Sequence, residues 1–429
     1  MKHRLFLLAS LALFAYALGT SPSAQRAAAA PTYSEHVAPI LYKHCTECHR
    51  PGEIAPMSLM TYADVQPWAK AMRDEIADGN MPPWHADPAH GKFRNARGLT
   101  AAEKDTITRW ANAGAPEGNR AKAPKPPVYG GGWRIGTPDV VLTLAKPYTV
   151  KADGMIDYQY FDVPTNFTED KFVQAVEIRP GNREVVHHAL LFVRLAEQPA
   201  RGAPRRPFFT QPREQMQGPE PVRTSRENGP TGPTNGLLAT FAPGIGPVVL
   251  PDGAAIRVRA GSTLVFQMHY TTNGKPADDQ TSVALVFSDA PPKEEVRATH
   301  FMNTSMVIPA GAAHHQVDAD ITFAEDVKIW GIFPHTHLRG TRWKYEAVYP
   351  DGRREVVLSV PRYDFNWQAY YELETPLIMP KGTKLIAIAH YDNSAGNPDN
   401  PDPKSDVRWG EQTWEEMQYT GLLVSFVNR

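Results

Sequence analysis

The sequence predicts a multidomain chain: a small all-α unit, followed by two all-β antiparallel sandwiches of jelly-roll type. Three observations predict it. Apolar residues recur at helical spacing before residue 118. A stretch rich in proline, lysine and glycine follows, and after it come short runs of valine, isoleucine and aromatics separated by turn residues. Residues 134–429 greatly exceed the ~100 residues of one sandwich, so two are expected. The expected division is an export signal over 1–30, the helical unit over 31–118, a linker over 119–133, and sandwiches over 134–290 and 291–429.

The elements justify themselves in order. Lys2, His3 and Arg4 precede the apolar run Leu5 to Leu18, which is too short to span a bilayer and has the length of a signal-peptide core. Small residues between Gly19 and Ala30 offer a cleavage region, so a periplasmic or secreted location is expected. No later stretch reaches membrane-spanning length, so no stable membrane insertion is expected. The formal net charge of −1 gives no case for a nucleic-acid partner. Val37, Ile40 and Leu41 sit at helical spacing in the first periodic segment. Val65, Trp68, Ala69, Met72 and Ile76 do so in the second, which Gly79 closes. The third opens with a Thr100–Glu103 capping box, buries Ile107, Trp110 and Ala111, and stops at Gly114. The strands begin at "DVVLTL" and continue to "KLIAIAHYD", with a domain boundary near Asp289 to Glu295. The stretch from Glu197 to Gly236, crowded with proline, glycine, glutamine and arginine, reads as a disordered loop or a functional flap.

Both cysteines, Cys45 and Cys48, lie in "KHCTECHRPG" with His49 directly behind. A thioredoxin-like disulfide is one reading, but such motifs need no following histidine and sit in a βαβ context missing here. C-x-x-C-H matches covalent attachment of one haem c, with His49 as an axial ligand. Thr32 to Gly118 thereby resembles a small class I cytochrome c. That resemblance implies a second axial ligand from Met81, in "NMPPWHADP"; His85 and His90 remain alternatives, and Met57, Met60 and Met72 read as core. Histidine–methionine ligation makes an electron carrier without an open iron position.

Fifteen histidines are present, and five lie in or at the ends of predicted strands: His187 and His188, His269, and His335 and His337. Buried histidines need partners for both ring nitrogens, so five in such places point to a metal. His335 and His337, two apart, face one side of a strand. His187 and His188 are adjacent, so one metal can use both only at a bulge or strand end, or through an inner ring nitrogen. His269 could complete their site. Imidazole alone suits zinc, copper, iron or nickel. His300 and His390 read as core or as supports to ligands, His314 and His315 as exposed.

"HHALLF", "QMHY", "HTHLRG" and "TWEEMQYTGLLVSF" follow one another as in the type II copper monooxygenases, the peptidylglycine α-hydroxylating and dopamine β-monooxygenase family. "YDFNWQ" (Tyr363 to Gln368) also resembles that family, and the resemblance covers roughly Gly131 to Arg429. It implies two coppers per chain: an electron-transfer copper on His187, His188 and His269, and an oxygen-activating, catalytic copper on His335, His337 and Met417. The thioether of Met417 favours Cu(I) over zinc. The disulfides of animal members have no counterpart here, and Gln418 stands where they have cysteine. The implied activity is O2-dependent hydroxylation of a C–H bond in a small organic substrate, with electrons from a periplasmic one-electron donor passing through the haem to copper. The alternatives are a haem–copper electron-transfer or copper-binding protein that hydroxylates nothing, and a structural sandwich with unmetallated histidines.

Overall fold

A computed structural model describes residues 30–51, 53, 55–130, 132–195, 208–218, 236–242 and 245–427. The expected export signal, but for Ala30, and most of the stretch from Glu197 to Gly236 lie outside the described residues. Among the described residues no helix is long and apolar enough to cross a membrane.

Among the described residues strand dominates, at 38% against 14% helix, and the expected all-α cytochrome c domain over 31–118 is not found. Only two helices there run beyond two turns: Ala69–Ala77 with nine residues and Ala101–Asn112 with twelve. The apolar spacing did mark helical residues, but proline and glycine cut them short. Pro67 splits the second expected helix into Tyr62–Val65, a 3-10 turn and Ala69–Ala77. Pro51, Pro56, Pro82, Pro83 and Pro88 keep the intervening chain irregular. The expected capping box at Thr100 and Glu103 is present, as is the left-handed glycine at Gly114 that ends its helix. Part of this segment joins the sheets. Phe93 bridges Leu373, the Arg94 N–H donates to Glu372 O at 2.8 Å, and the Glu374 N–H donates to Lys92 O at 2.9 Å. Residues 92–94 thus extend the edge of the Tyr371–Met379 strand.

The sandwich expectation fits in kind. In the first, the four strands Gln159–Pro164, Thr263–Tyr270, Val186–Arg194 and Leu237–Phe241 form one antiparallel sheet. It closes over a core that includes Val176, Leu191, Ile256, Phe266 and Leu285. In the second, a five-stranded sheet with the hairpin Gly340–Val348/Arg354–Val360 at one side covers Ile329, Trp343, Tyr345, Leu385 and Val424. The opposing layer is common to both: one nine-stranded sheet runs through the two halves. Its seam is a parallel pairing of Ala254–Ile256 with Glu294–Val296, across the expected domain boundary.

Candidate metal centre

Strand Val186–Arg194 lies antiparallel to Thr263–Tyr270, and its register sets His188 directly opposite His269. The next pair is Val186 with Tyr270, so His187 is an extra residue in the ladder. An extra residue re-aims its side chain. The bulge turns His187 to the same side as His188, which a regular strand forbids. One nitrogen or more from each of His187, His188 and His269 lies within 4.8 Å of the others.

The inner nitrogens converge. Nδ1 of His188 stands 3.1 Å from Nδ1 of His187 and 3.4 Å from Nδ1 of His269. The Nε2–H of His187 donates to Asn366 Oδ1 at 3.2 Å, which leaves its Nδ1 as a lone pair. A proton shared between two of these nitrogens cannot satisfy the third. A cation among them satisfies all three. Burial favours neutral imidazoles throughout: it lowers the affinity of His187 for protons, holds His269 down to about 3, and keeps His188 well below the ordinary histidine value.

His335 ends the Val327–His335 strand, opposite Tyr419, and His337 follows one residue into the turn. Their tautomers are set the other way. His335 Nδ1–H donates to Gln368 Oε1 at 2.7 Å, and His337 Nδ1–H donates to Glu415 O at 3.1 Å. Both Nε2 atoms are left as lone pairs. His337 Nε2 is buried without a hydrogen-bond partner, as is His188 Nε2. An unsatisfied buried polar atom costs about 1–3 kcal/mol, so such an atom calls for an occupant. Burial holds His335 down to about 4 and His337 well below its ordinary value.

A buried carboxylate locks this turn to the methionine segment. Glu416 accepts the backbone N–H groups of His337 at 2.8 Å, Arg339 at 2.7 Å and Met417 at 3.2 Å. Burial pushes its carboxyl up to about 7, against the opposing pull of those donors and of Arg339. Met417, half-buried, shares with His335 the wall of a cavity of ≈ 330 Å³. Tyr158, Phe192, Met302 and Trp409 give that cavity a mainly apolar, aromatic lining, with Gln267, His300 and Glu411 as polar members.

The two histidine groups are neighbours. Gln368, 2% exposed, accepts from His335 and directs its own Nε2 at His188 Nδ1, 3.5 Å away. The Phe365 ring lies 6.0 Å from His188 and from His269 and 5.9 Å from His337, while Tyr158 lies 5.5, 5.0 and 6.3 Å from the same three. All five histidines singled out in the sequence therefore meet in one buried cluster. Sequence reasoning missed Gln368, Asn366, Tyr158 and Glu416 as supports. The available signals were the polar residues set among aromatics in "YDFNWQ" and the acidic pair just before Met417.

The Cys45–His49 turn follows the helix Ala38–His44, with the His49 N–H donating to Cys45 O at 2.9 Å. Both thiols are free, and burial pushes that of Cys45 up to about 12. His49 Nδ1–H donates to Met57 O at 3.3 Å, which frees Nε2. Two unbridged thiols and an oriented imidazole in one turn are a donor set that fits a covalently held haem. Met81 follows the helix Ala69–Ala77, and its N–H donates to Glu75 O at 3.2 Å. His85 stands 3.4 Å from an Arg362 nitrogen.

No protein-family model matches the chain. No curated protein matches it either. Among solved structures, the major capsid protein P2 from bacteriophage PM2 is 9% identical over 68% of this chain and 98% of that one, with a TM-score of 0.30. A structure of infectious bursal disease virus Gx strain is 11% identical over 68% and 73%, with a TM-score of 0.19. A Paenibacillus xanthan lyase is 10% identical over 74% and 29%, with a TM-score of 0.16. Similarity at this level carries no argument about what this chain does.

Proposed function

We propose that the chain is a haem-containing copper monooxygenase, periplasmic or secreted, which hydroxylates a C–H bond of a small organic molecule with O2. The observation that carries the reading is the buried five-histidine cluster with stranded nitrogens, opening at His335 and Met417 onto a cavity of ≈ 330 Å³. His187, His188 and His269 would hold one copper; His335 and His337 would hold the other through Nε2, with the Met417 thioether as a soft third ligand. Cys45, Cys48 and His49 would hold one haem c. When bound, copper would supply one-electron redox chemistry and O2 activation, and haem would supply single electrons from a periplasmic one-electron donor.

The remaining work belongs to the chain. Gln368 and the Glu415 carbonyl fix the tautomers of His335 and His337, which leaves the Nε2 lone pair of each for a metal. Glu416 clamps the histidine turn to the methionine segment. Phe365 and Tyr158 shield the cluster from water. The apolar cavity would receive the body of the substrate, with the bond to be hydroxylated nearest His335 and Met417. One oxygen atom enters the product and the other leaves as water, which requires two electrons and two protons per turnover.

The test couples metal analysis to O2 uptake across a panel of small C–H donors. Wild type is expected to carry two coppers and one haem and to form hydroxylated product in step with O2 consumed. Met417→Ala is expected to keep its haem and lose uptake. Unchanged uptake in Met417→Ala removes the thioether from the chemistry. Full copper and haem without product makes the chain an electron carrier.

A further inference from the structure

The residue that follows the Cys45–His49 turn is tied by one carboxylate to the turn that opens the His187 strand. Glu53 uses both oxygens: Oε1 accepts from Arg50 at 2.7 Å and Oε2 from Arg183 at 2.5 Å. Arg50 directly follows His49, and Arg183 lies four residues before His187, in the turn that opens its strand. The bridge is largely shielded, with side-chain exposures of 16% for Arg50, 14% for Glu53 and 29% for Arg183. Two further contacts brace it. The Arg50 guanidinium stacks 3.7 Å from the centre of the Tyr129 ring, and the Tyr129 hydroxyl meets Thr46, inside the cysteine motif, at 2.6 Å.

A second set of contacts ends beside the residues that support the cluster. The added edge at residues 92–94 continues into Asn95, whose side chain donates to Tyr370 O at 2.6 Å and accepts the Glu372 N–H at 3.1 Å. Trp84, Arg97 and Trp367 then line one narrow gap. Trp367 stands between Asn366, which holds His187, and Gln368, which faces His188 and His335. The first set of contacts thus ends in the turn before the His187 strand, and the second ends beside Asn366, which contacts His187. His187 is also its least buried member.

We infer that Arg50, Glu53 and Arg183 form a positioning bridge that holds the haem-bearing turn beside the strand carrying His187 for electron transfer. This rests on the function proposed above. Each transfer oxidises one ferrous haem and reduces one cupric ion; no proton moves and no bond forms or breaks. The one-electron donor that re-reduces the haem completes the balance. Arg183 and Glu53 are positioning residues, since neither is among the proposed ligands of copper or haem.

The test uses the full chain loaded with haem and copper. The haem is reduced by a laser flash under anaerobic conditions, and its reoxidation is followed in its own absorption band. Arg183→Met is expected to slow reoxidation about tenfold, the scale of one charge-assisted hydrogen bond. Copper content, the copper electron paramagnetic resonance (EPR) spectrum and the haem spectrum should stay unchanged, while Arg183→Lys restores the rate. Amide exchange over residues 45–59 should quicken in Arg183→Met alone. Wild-type reoxidation with an equal rate in Arg183→Met, at full cofactor content, overturns the bridge and leaves the proposed function standing. A wild-type chain that binds neither cofactor overturns both.

Discussion

Gln368 donates and accepts within one buried cluster: its carbonyl oxygen takes the His335 proton and its amide reaches toward His188. Its removal frees the His335 ring to turn and to change tautomer. Gln368→Ala is expected to weaken copper at His335 and His337 by about 10–100-fold, the usual effect of losing a ligand's support. Chelator competition would measure it, and the triad should keep its own ion. Equal affinity in the variant would show that packing by Phe365 and Tyr158 is enough. The five histidines were legible in the sequence because a polar residue in an apolar run is conspicuous. Gln368 was less so: its meaning depends on a contact made 180 residues away.

The turn between His335 and His337 depends on a residue with no side chain. A Cβ at Gly340 would overlap the Thr336 hydroxyl, which sits between the two histidines. Gly340→Ala should therefore strip copper from His335 and His337 while the triad stays loaded, as metal analysis would record. Full occupancy would show that Thr336 can move aside. A helix offers a pH test at the same scale. Burial acts to raise the Glu103 carboxyl, yet the Thr100 N–H, His44 and the Thr100 hydroxyl outweigh it and bring it from 4.5 down to about 2. The folded state therefore holds the Glu103 proton less tightly than the unfolded state. Its contribution is whole above pH 4.5 and fades as pH falls toward about 2. Glu103→Gln should lower the melting temperature near neutral pH, by the equivalent of about 0.3–1.5 kcal/mol for a cap. The gap from wild type should close on acidification; a gap constant with pH would rule out this carboxylate as its source. Helix ends such as this one were readable because capping is local chemistry. The bulge at His187 was readable only as a requirement, since a bulge is set by the partner strand.

At the scale of the molecule, the two sandwiches were expected to be separate and the structure shares a sheet between them. The strands themselves were legible from their alternating apolar residues. The seam was not, because Glu294 and Glu295 read as a polar boundary while their backbones pair with Ala254 and Ala255. The helical segment misled for a related reason: periodicity marks where a helix can start, but the prolines decide how far it runs. One continuous sheet predicts that the metal-free protein unfolds in a single calorimetric transition, with agreeing van't Hoff and calorimetric enthalpies. Two resolved transitions would mean the seam is weak. Copper should then raise the melting temperature of the whole chain, since its ligands come from both sandwiches.

The most direct check on the account is X-ray absorption at the copper edge, on protein titrated to saturation with Cu(I) and on Met417→Leu treated alike. The account predicts two equivalents per chain and a sulfur scatterer in wild type, with only nitrogen scatterers left in the variant. Binding of one equivalent or none, or a sulfur signal that survives the substitution, would contradict it.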